Sequence, residues 1–145
     1  MICILLPVFI ILFIGPKLVQ VCVVNGHSME PTLKEGSFGI LAMNPLKIDR
    51  GDIVVVKLAN DELIIKRVVG VPGDHVIVEN GIVLVNNEEL EEDYVKYNSL
   101  LEYTDKFVGY DEYFILGDNR TDSLDSRYFG VISEDEILGK FYKVL

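Results

Sequence analysis

Short apolar runs separated by polar turn residues make up most of the chain, and their pattern is that of β-strands. The runs are rich in β-branched and aromatic residues, and Gly, Pro, Asn and Asp stand between them. The predicted strands cover residues 18–24, 37–42, 52–58, 63–71, 75–79, 82–86, 113–117 and 139–145. Many short strands with frequent turns predict an all-β sandwich or barrel. We favour antiparallel β-sheets in a coiled or barrel-like single domain.

Two turns are predicted from local signals. The pair Asn80-Gly81 lies between two predicted strands and favours the positive φ angles of a type I′ hairpin turn. Ser133 precedes three acidic residues and an isoleucine, a pattern that predicts one short helical turn capped by the serine.

The leader, residues 1–24, differs from the rest because Lys17 is its single charged side chain. Its uncharged run, residues 2–16, would form a helix of about 22 Å, short of the ~30 Å bilayer core. A membrane anchor, a cleavable signal peptide and a buried core segment are the three interpretations. A signal peptide would need a basic start and a small-x-small site before Asn25, and neither is present. We favour an N-terminal membrane-anchor helix with a connecting strand, followed by one β domain in residues 25–145. A domain of this size seldom buries so uniformly apolar a run in its core.

Residues 86–113 stand apart in charge and tyrosine content. They hold nine acidic residues, two basic residues and five of the seven tyrosines. We predict a solvated, variable excursion between two core strands. The alternative is a partner-facing rim on which the tyrosines supply contact area.

Charge and cysteine usage exclude several classes of protein. The 13 Lys and Arg against 23 Asp and Glu give a net charge of −10, whereas a nucleic-acid binder normally carries a basic surface. Cys3 and Cys22 both lie in the leader, and His27 and His75 are the only histidines. These counts exclude a disulfide scaffold, a Cys-ligated zinc site and a His-rich metal site in the β domain.

Ser28 and Lys66 are the candidate nucleophile and base. Ser28 lies in the loop of residues 26–33, where a serine that merely caps a turn is the alternative. Lys66 interrupts an apolar run, and strand alternation places it on one face and Arg67 on the other, so one of them meets the interior or a partner. A lysine that reaches the sheet edge is the structural alternative. Burial would instead lower the pKa of the Lys66 amine and make it a usable base.

A serine hydroxyl attacks an amide only if a base removes its proton, and histidine is the usual base. His27 adjoins Ser28, and neighbouring side chains on an extended segment point apart. His75 follows turn residues and is expected at the surface. Lys66 is therefore the better base, and the Ser-Lys pair is a known variant.

The run from Gly117 to Gly130 is dense in side chains that hydrogen-bond to backbone or pair with each other. A solvated turn explains any few of these residues, but the whole run predicts a buried polar network that supports a site. Within it, Ser123 is placed to orient the lysine amine. The expected ion pairs join Asp118 or Asp125 to Arg67 or Arg127.

Four segments in order make the chain resemble the bacterial type I signal peptidases, a family of Ser-Lys leader peptidases. The segments are GHSMEPTL (26–33), RGDIVVVK (50–57), KRVVGVPGD (66–74) and GDNRTDSLDSRYFG (117–130). The resemblance implies that Ser28 is the acylating nucleophile and an oxyanion donor through its backbone N–H. Lys66 is then the general base, and Ser123 hydrogen-bonds to its amine. The residues expected to hold the site together are Arg67, Asp118, Asn119, Arg120, Asp125, Ser126 and Arg127.

The resemblance also implies a mostly β enzyme that removes signal peptides from secretory preproteins after small-x-small motifs. We expect shallow apolar pockets lined by Met29, Pro31, Ile64 and Val68. The implied location is the cell membrane, single-pass, with the catalytic domain on the extracytoplasmic side. Preproteins and the lipid bilayer are the implied partners, without a cofactor, a metal or nucleic acid. One departure is Gly26, because some relatives carry at that position a serine whose hydroxyl adds to the oxyanion hole.

Other functions remain open at this point. A self-cleaving repressor-type protease also uses a Ser-Lys pair, but it needs an N-terminal DNA-binding domain where this chain has its apolar leader. A eukaryotic-type signal peptidase uses histidine as base, which Lys66 argues against. A non-catalytic, membrane-anchored β binding module would leave Lys66 within its apolar run unexplained.

Overall fold

The computed structural model describes residues 19–45, 47–99 and 102–144. The strands are β1 Val19–Val23, β2 Phe38–Met43, β3 Ile53–Lys57, β4 Leu63–Gly70, β5 His75–Glu79, β6 Ile82–Val85, β7 Glu88–Glu89, β8 Tyr103–Phe107, β9 Glu112–Leu116, β10 Ile132–Ser133 and β11 Ile137–Lys143. Helix α1 spans Ser126–Phe129, and a single 3₁₀ turn spans Glu134–Glu136.

The strands form two antiparallel sheets. The larger sheet has the order β1-β2-β11-β3-β4-β9-β10, and the smaller has the order β7-β6-β5-β8. The register shifts between Val68 and Gly70 where β4 meets β9, and such irregularities bend a strand and increase its twist. The larger sheet curls into a half-barrel. The predicted all-β, antiparallel, barrel-like fold is confirmed.

Strand β4 lies at the centre of the molecule and is buried on both faces. Ile64 and Val68 pack in one apolar cluster with Val54 and Ile115. Ile65 packs in a second cluster, with Met29, Leu33, Val55 and Phe141. Val69 packs in a third cluster, with Val76, Val83 and Phe114. A long side chain in the middle of this strand therefore lies among apolar neighbours, away from a solvent-facing surface.

Both predicted turns form. Asn80 and Gly81 have φ angles of 51° and 79° and join β5 to β6, as a type I′ turn requires. The backbone N–H of Ser133 donates to Glu136 Oε2 at 2.8 Å at the start of the 3₁₀ turn. This is the reciprocal bond of a capping box.

The predicted solvated excursion, residues 86–113, is mostly exposed or half-buried where the structure describes it, but part of it forms strand β8. Strand β8 pairs along the whole of β5, and Thr104 of β8 is buried. Val108 follows β8 and belongs to the third apolar cluster. These two buried residues, Thr104 and Val108, stand among exposed or half-buried neighbours, so no alternating apolar pattern marks this strand in the sequence.

The predicted anchor helix falls in residues 1–18, outside the described residues. Within the described ranges, no helix is both long and apolar enough to cross a membrane. The predicted connecting strand is present as β1.

Candidate active site

The loop between β1 and β2 holds Ser28 in a fixed position. Met29 and Leu33 are almost fully buried in the second apolar cluster, and the backbone N–H of Leu33 donates to the carbonyl of Met29 at 2.9 Å. Val24 and Ser37 close the base of the loop through a 2.9 Å backbone hydrogen bond. Two buried apolar side chains thus anchor the loop, while Ser28 between them and β1 stays partly accessible.

The Lys66 amine reaches this loop from β4. Lys66 Nζ donates a hydrogen bond to Ser28 Oγ at 2.8 Å and a second one to the carbonyl of Ile65 at 3.0 Å. Only 4% of Lys66 is exposed, so the amine does not reach the sheet edge. The structure therefore brings the two predicted reactive groups into direct contact across 38 residues of sequence.

Burial changes the acidity of this amine. Desolvation lowers the pKa of Lys66 from 10.5 to about 8, and it outweighs the negative charges of Asp125 and Glu62, which raise the pKa. The positive charge of Arg127 lowers the pKa further. An amine with a pKa near 8 is neutral in a substantial fraction of molecules near neutral pH and can then accept a proton from a hydroxyl.

Gly117 lies between Ser28 and Ser123. A Cβ at residue 117 would meet Ser123 Oγ at 2.2 Å and the carbonyl oxygen of Ser28 at 2.6 Å. Ser123 Oγ is buried and has no hydrogen-bond partner within the described part of the chain. The predicted bond from Ser123 to the Lys66 amine is thus absent, and the hydrogen bonds of Lys66 Nζ go to Ser28 Oγ and the carbonyl of Ile65.

Asp118 connects the β4 strand to the Ser28 loop. Arg67 donates to both of its oxygens, from Nε at 2.8 Å and from Nη2 at 2.6 Å. Thr32 Oγ1, in the Ser28 loop, donates to Asp118 Oδ2 at 2.5 Å. Arg67, which directly follows Lys66, also donates to the carbonyl of Gly51. Asp118 thereby ties the segments that carry Ser28 and Lys66 to one carboxylate.

Asp125 organises the other end of the polar run. It is fully buried and accepts from the backbone N–H of Gly117 at 2.9 Å and from Arg127 Nε at 2.8 Å. It also caps α1 through the Arg127 backbone N–H. Ser126 Oγ accepts from the backbone N–H of Ile115 at 2.9 Å, which fixes the helix against β9.

Asn119 and Arg120 complete the attachment to the Ser28 loop. The Asn119 backbone N–H donates to the carbonyl of Ser28 at 3.0 Å, and its side chain donates to the carbonyl of His27 at 3.2 Å. Arg120 Nε donates to the carbonyl of Gly117 at 3.0 Å. The predicted supporting residues therefore form one buried polar network around Ser28 and Lys66.

The predicted pocket residues separate into two places. Met29 and Pro31 lie in the Ser28 loop, whereas Ile64 and Val68 pack in a different apolar cluster from Met29. Ile65, on the other face of β4, shares the cluster of Met29. Both faces of this strand are buried, so strand alternation alone does not show which face borders the Ser28 loop.

Three residues of the acidic segment were also missed. Glu92 pairs with Arg120, Glu102 pairs with Arg127, and the Tyr94 ring lies 4.0 Å from the guanidinium carbon of Arg67. The available signal was the coincidence of nine acidic residues in one segment with three arginines near the candidate site. That coincidence indicates charge pairing without giving the partners.

Both histidines bond to carboxylates. His27 Nδ1 and Glu30 Oε1 lie 2.9 Å apart on the exposed side of the loop, which raises the pKa of His27. His75 Nε2 and Asp105 Oδ1 lie 2.7 Å apart on the smaller sheet. Within the described residues, no three His, Cys, Asp or Glu side chains are grouped so that they could hold a metal ion.

Gly117→Ala is expected to lower kcat for peptide cleavage on the order of 100-fold, because a displacement of about 1 Å at a reacting group costs this much. The added methyl group would overlap Ser123 Oγ and the carbonyl of Ser28. Steady-state kinetics on the purified variant measure the effect. Gly109→Ala is the control, because Gly109 has no positive φ and a Cβ there would meet only the movable side chain of Glu112. Equal activities of the two variants would contradict the prediction.

A loop serine bonded to a buried lysine on antiparallel β-sheets is an arrangement that serine peptidases of the Ser-Lys type use. The chain belongs to the signal peptidase family, peptidase S26, whose family model matches residues 1–145. It is 36% identical to signal peptidase IB of Staphylococcus aureus (strain Mu50) over 154 aligned positions, which cover 91% of this chain and 81% of the relative. It is also 36% identical to a probable signal peptidase I-2 of Synechocystis, over 82% of this chain and 59% of the relative.

The crystal structure of a signal peptidase I from Enterococcus faecalis is similar in fold. The two chains share 30% sequence identity and superpose with a TM-score of 0.55, over 65% of this chain and 96% of the other. The resemblance indicated by the four sequence motifs is confirmed.

Proposed function

We propose that this chain is a type I signal peptidase that cleaves secretory preproteins after small-x-small motifs, with Ser28 as nucleophile and Lys66 as general base. The observation that supports this most directly is the 2.8 Å hydrogen bond between a buried amine and a loop hydroxyl. A catalytic amine must lie within hydrogen-bond reach of the proton that it removes.

Acylation begins with neutral Lys66. Its Nζ accepts the hydroxyl proton of Ser28 while Oγ attacks the scissile carbonyl carbon, which gives a tetrahedral oxyanion and a lysine ammonium. The backbone N–H of Ser28 donates to the oxyanion. When the intermediate collapses, the C–N bond breaks and the ammonium gives its proton to the leaving amine. Lys66 is neutral again, and the signal peptide remains as an ester on Ser28.

Deacylation uses the same groups with water as nucleophile. Lys66 accepts a proton from the water as the oxygen attacks the ester carbon. Collapse of the second intermediate breaks the bond to Ser28 Oγ, and the ammonium returns the proton to that oxygen. The backbone N–H of Asn119, which donates to the Ser28 carbonyl, keeps the loop in one position through both steps.

The selectivity for small side chains is assigned to the apolar wall beside Ser28. Met29 and Ile65 belong to one packed cluster on this side of β4. A close-packed wall next to the nucleophile leaves room for small residues and excludes larger ones, because interiors tolerate added volume poorly. We propose Ile65 for this wall in place of Ile64 and Val68, which pack in a different apolar cluster.

The membrane is proposed as the place of action, with the apolar leader as a single-pass anchor and the β domain on the extracytoplasmic side. Exposed apolar side chains cluster on one side of the β1-β2-β11 edge of the larger sheet: Val19, Val21, Phe38 and Tyr142. Val21 and Tyr142 flank the same residue of β2, Ile40, so they share a face. Val19 and Val21 belong to the end of the leader itself, so this face is continuous in sequence with the proposed anchor. A bilayer that holds both enzyme and substrate raises their effective concentration.

The pH dependence provides the first test of the proposed base. We expect kcat/KM to rise about tenfold per pH unit below pH 8 and to level off above it, because only the neutral amine accepts the proton and the pKa of Lys66 is about 8. The measurement is a rate profile from pH 5 to 10 with a fluorogenic signal-peptide substrate. A plateau reached near pH 6.5 would instead point to a histidine base.

The substrate test separates the proposed function from its alternatives. Purified protein in detergent is incubated with a signal peptide that ends in Ala-x-Ala, and the products are identified by mass spectrometry. We expect cleavage after the last alanine and none when it is replaced by phenylalanine. A binding module predicts no product at all, and a self-cleaving protease predicts fragments of this chain without added peptide.

A further inference from the structure

Part of the acidic segment, the strap Glu92–Tyr97, lies directly against the polar run that supports the dyad. The backbone N–H of Arg120 donates to the carbonyl of Tyr97 at 2.9 Å, and Tyr97 forms a parallel β-bridge with Asn119. The strap thus contacts the residue whose backbone amide holds the Ser28 carbonyl.

The strap supplies a buried counter-charge to this run. Arg120 Nη1 and Nη2 donate to the two carboxylate oxygens of Glu92 at 3.0 and 2.5 Å. The Arg120 side chain is 2% exposed and that of Glu92 is 9% exposed. A guanidinium this deeply buried requires a paired carboxylate, and bidentate pairing fixes its orientation as well as its charge.

Tyr94 connects the Glu92 carboxylate to β4, the strand that carries Lys66. Its hydroxyl donates to Glu92 Oε1 at 2.9 Å, and its ring packs against the Arg67 guanidinium at 4.0 Å. Arg67 is the residue after Lys66 and is bonded to Asp118. Glu92 is therefore connected through Arg120 to the segment that holds Ser28, and through Tyr94 and Arg67 to the strand that carries Lys66.

The path from Glu92 to the nucleophile has few steps. Arg120 Nε donates to the carbonyl of Gly117, the residue whose missing side chain leaves room for the Ser28 carbonyl and Ser123 Oγ. Two residues further on, the Asn119 amide donates to that same Ser28 carbonyl. A guanidinium that is free to reorient would release the backbone of residues 117–119 and with it the loop that presents Ser28.

We infer that Glu92 is a positioning residue for the Ser28–Lys66 dyad and acts through Arg120 on the backbone of residues 117–119. The inference rests on the proposed function, since it concerns the geometry of the same two reactive groups. Glu92 touches neither of them, and the charges that bear most on the pKa of Lys66 lie elsewhere, led by Asp125 and Glu62. Its contribution is geometric.

The test compares Glu92→Gln with Glu91→Gln, an exposed neighbour with the same change in charge. Glu92→Gln is expected to lower kcat by roughly 10- to 100-fold with KM changed less than twofold, at temperatures well below its Tm. The pH midpoint of its kcat/KM profile stays that of the wild type. A lowered Tm with an unchanged kcat would show a merely structural role and overturn the inference, as would equal losses in the two variants.

A double-mutant cycle shows whether Glu92 works through Arg120. Arg120→Gln is expected to cost much less in kcat when Glu92→Gln is already present than in the wild type, because residues that act as a unit are not additive. Losses that simply multiply would overturn the inference. Tyr94→Phe keeps the ring on Arg67 and removes the hydrogen bond to Glu92, and it is expected to lower kcat by roughly 2- to 10-fold. This milder variant provides a test even if Glu92→Gln does not fold.

The outcomes also separate this inference from the proposed function. A wild-type protein that cleaves no signal peptide overturns both. A wild-type protein that cleaves normally, with Glu92→Gln and Tyr94→Phe equally active, overturns the inference and leaves the proposed function intact.

Discussion

Lys66→Met is expected to lower kcat/KM for signal-peptide cleavage by at least about 10⁴-fold, the loss typical of removing a general base from a nucleophile–base pair. Methionine fills a similar volume but cannot accept the proton of Ser28. Histidine does not replace it, because His27 and His75 are engaged with Glu30 and Asp105. Steady-state cleavage of the fluorogenic peptide at pH 9, where most of the wild-type amine is neutral, gives the largest contrast.

Lys57→Met is the matched control, because Lys57 is an exposed lysine on the neighbouring strand, paired with Asp61. It should retain wild-type activity within about twofold, since surface ion pairs contribute little. Ser28→Ala should cost as much as Lys66→Met, and the double variant should cost no more than either one, because the two groups act as a unit. Retention of more than one hundredth of the activity in Lys66→Met would rule out lysine as the base.

Lys66→Met is expected to be more stable than the wild type, so its loss of activity would not result from unfolding. The folded pKa of Lys66 is about 8 and the unfolded value is 10.5, so the unfolded state binds more protons between these values and wild-type stability rises with pH in that window. Below pH 8 the cost of burying the charged amine is fully present, on the order of 3 kcal/mol. The advantage of Lys66→Met in urea unfolding should therefore be largest at pH 7 and fade towards pH 10.5.

Asp125→Ala is expected to lower the free energy of unfolding by about 3–5 kcal/mol, the range measured when one partner of a buried ion pair is removed. Asp125 is fully buried and accepts from Gly117 N–H and from the Arg127 guanidinium and backbone. Its loss leaves a buried amide and part of a buried guanidinium without an acceptor. It also removes the N-cap of α1.

Urea unfolding at pH 7 measures this effect as a shift of the midpoint at a constant slope. Asp122→Ala is the control, because Asp122 lies three residues away in the same run and is exposed. Its effect should stay within about 0.5 kcal/mol, as is usual for surface positions. Similar midpoints for the two variants would mean that the network around Asp125 does not stabilise the fold.

The sequence predicted what depends on local pattern. Alternation within residues 63–70 showed that Lys66 and Arg67 cannot both face solvent, and the structure buries Lys66 and pairs Arg67 with Asp118. The Asn80-Gly81 turn formed because its positive φ angles are a property of two residues. Predictions of this kind need no knowledge of the neighbouring strands.

The sequence could not predict the features that depend on which distant segments pack against each other. Alternation separates the two faces of β4 but does not show that both are buried, nor that Met29 packs with Ile65 and not with Ile64 and Val68. The pairing of Glu92 with Arg120 joins residues 28 positions apart, and many carboxylates were equally suitable in charge. The place of Ser123 relative to the amine also depends on how distant segments pack, and within the described residues Ser123 Oγ has no hydrogen-bond partner.

The position of β4 among three apolar clusters links the packing of the interior to the pH range of activity. The acidity of the Lys66 amine is set by how well the whole interior excludes water, because desolvation is the largest cause of its lowered pKa. A looser interior that returned this pKa to 10.5 would reduce the neutral fraction at pH 7 by roughly 300-fold without touching a reacting atom. Tight packing and the pH range of activity are therefore inherited together, and selection on either one acts on both.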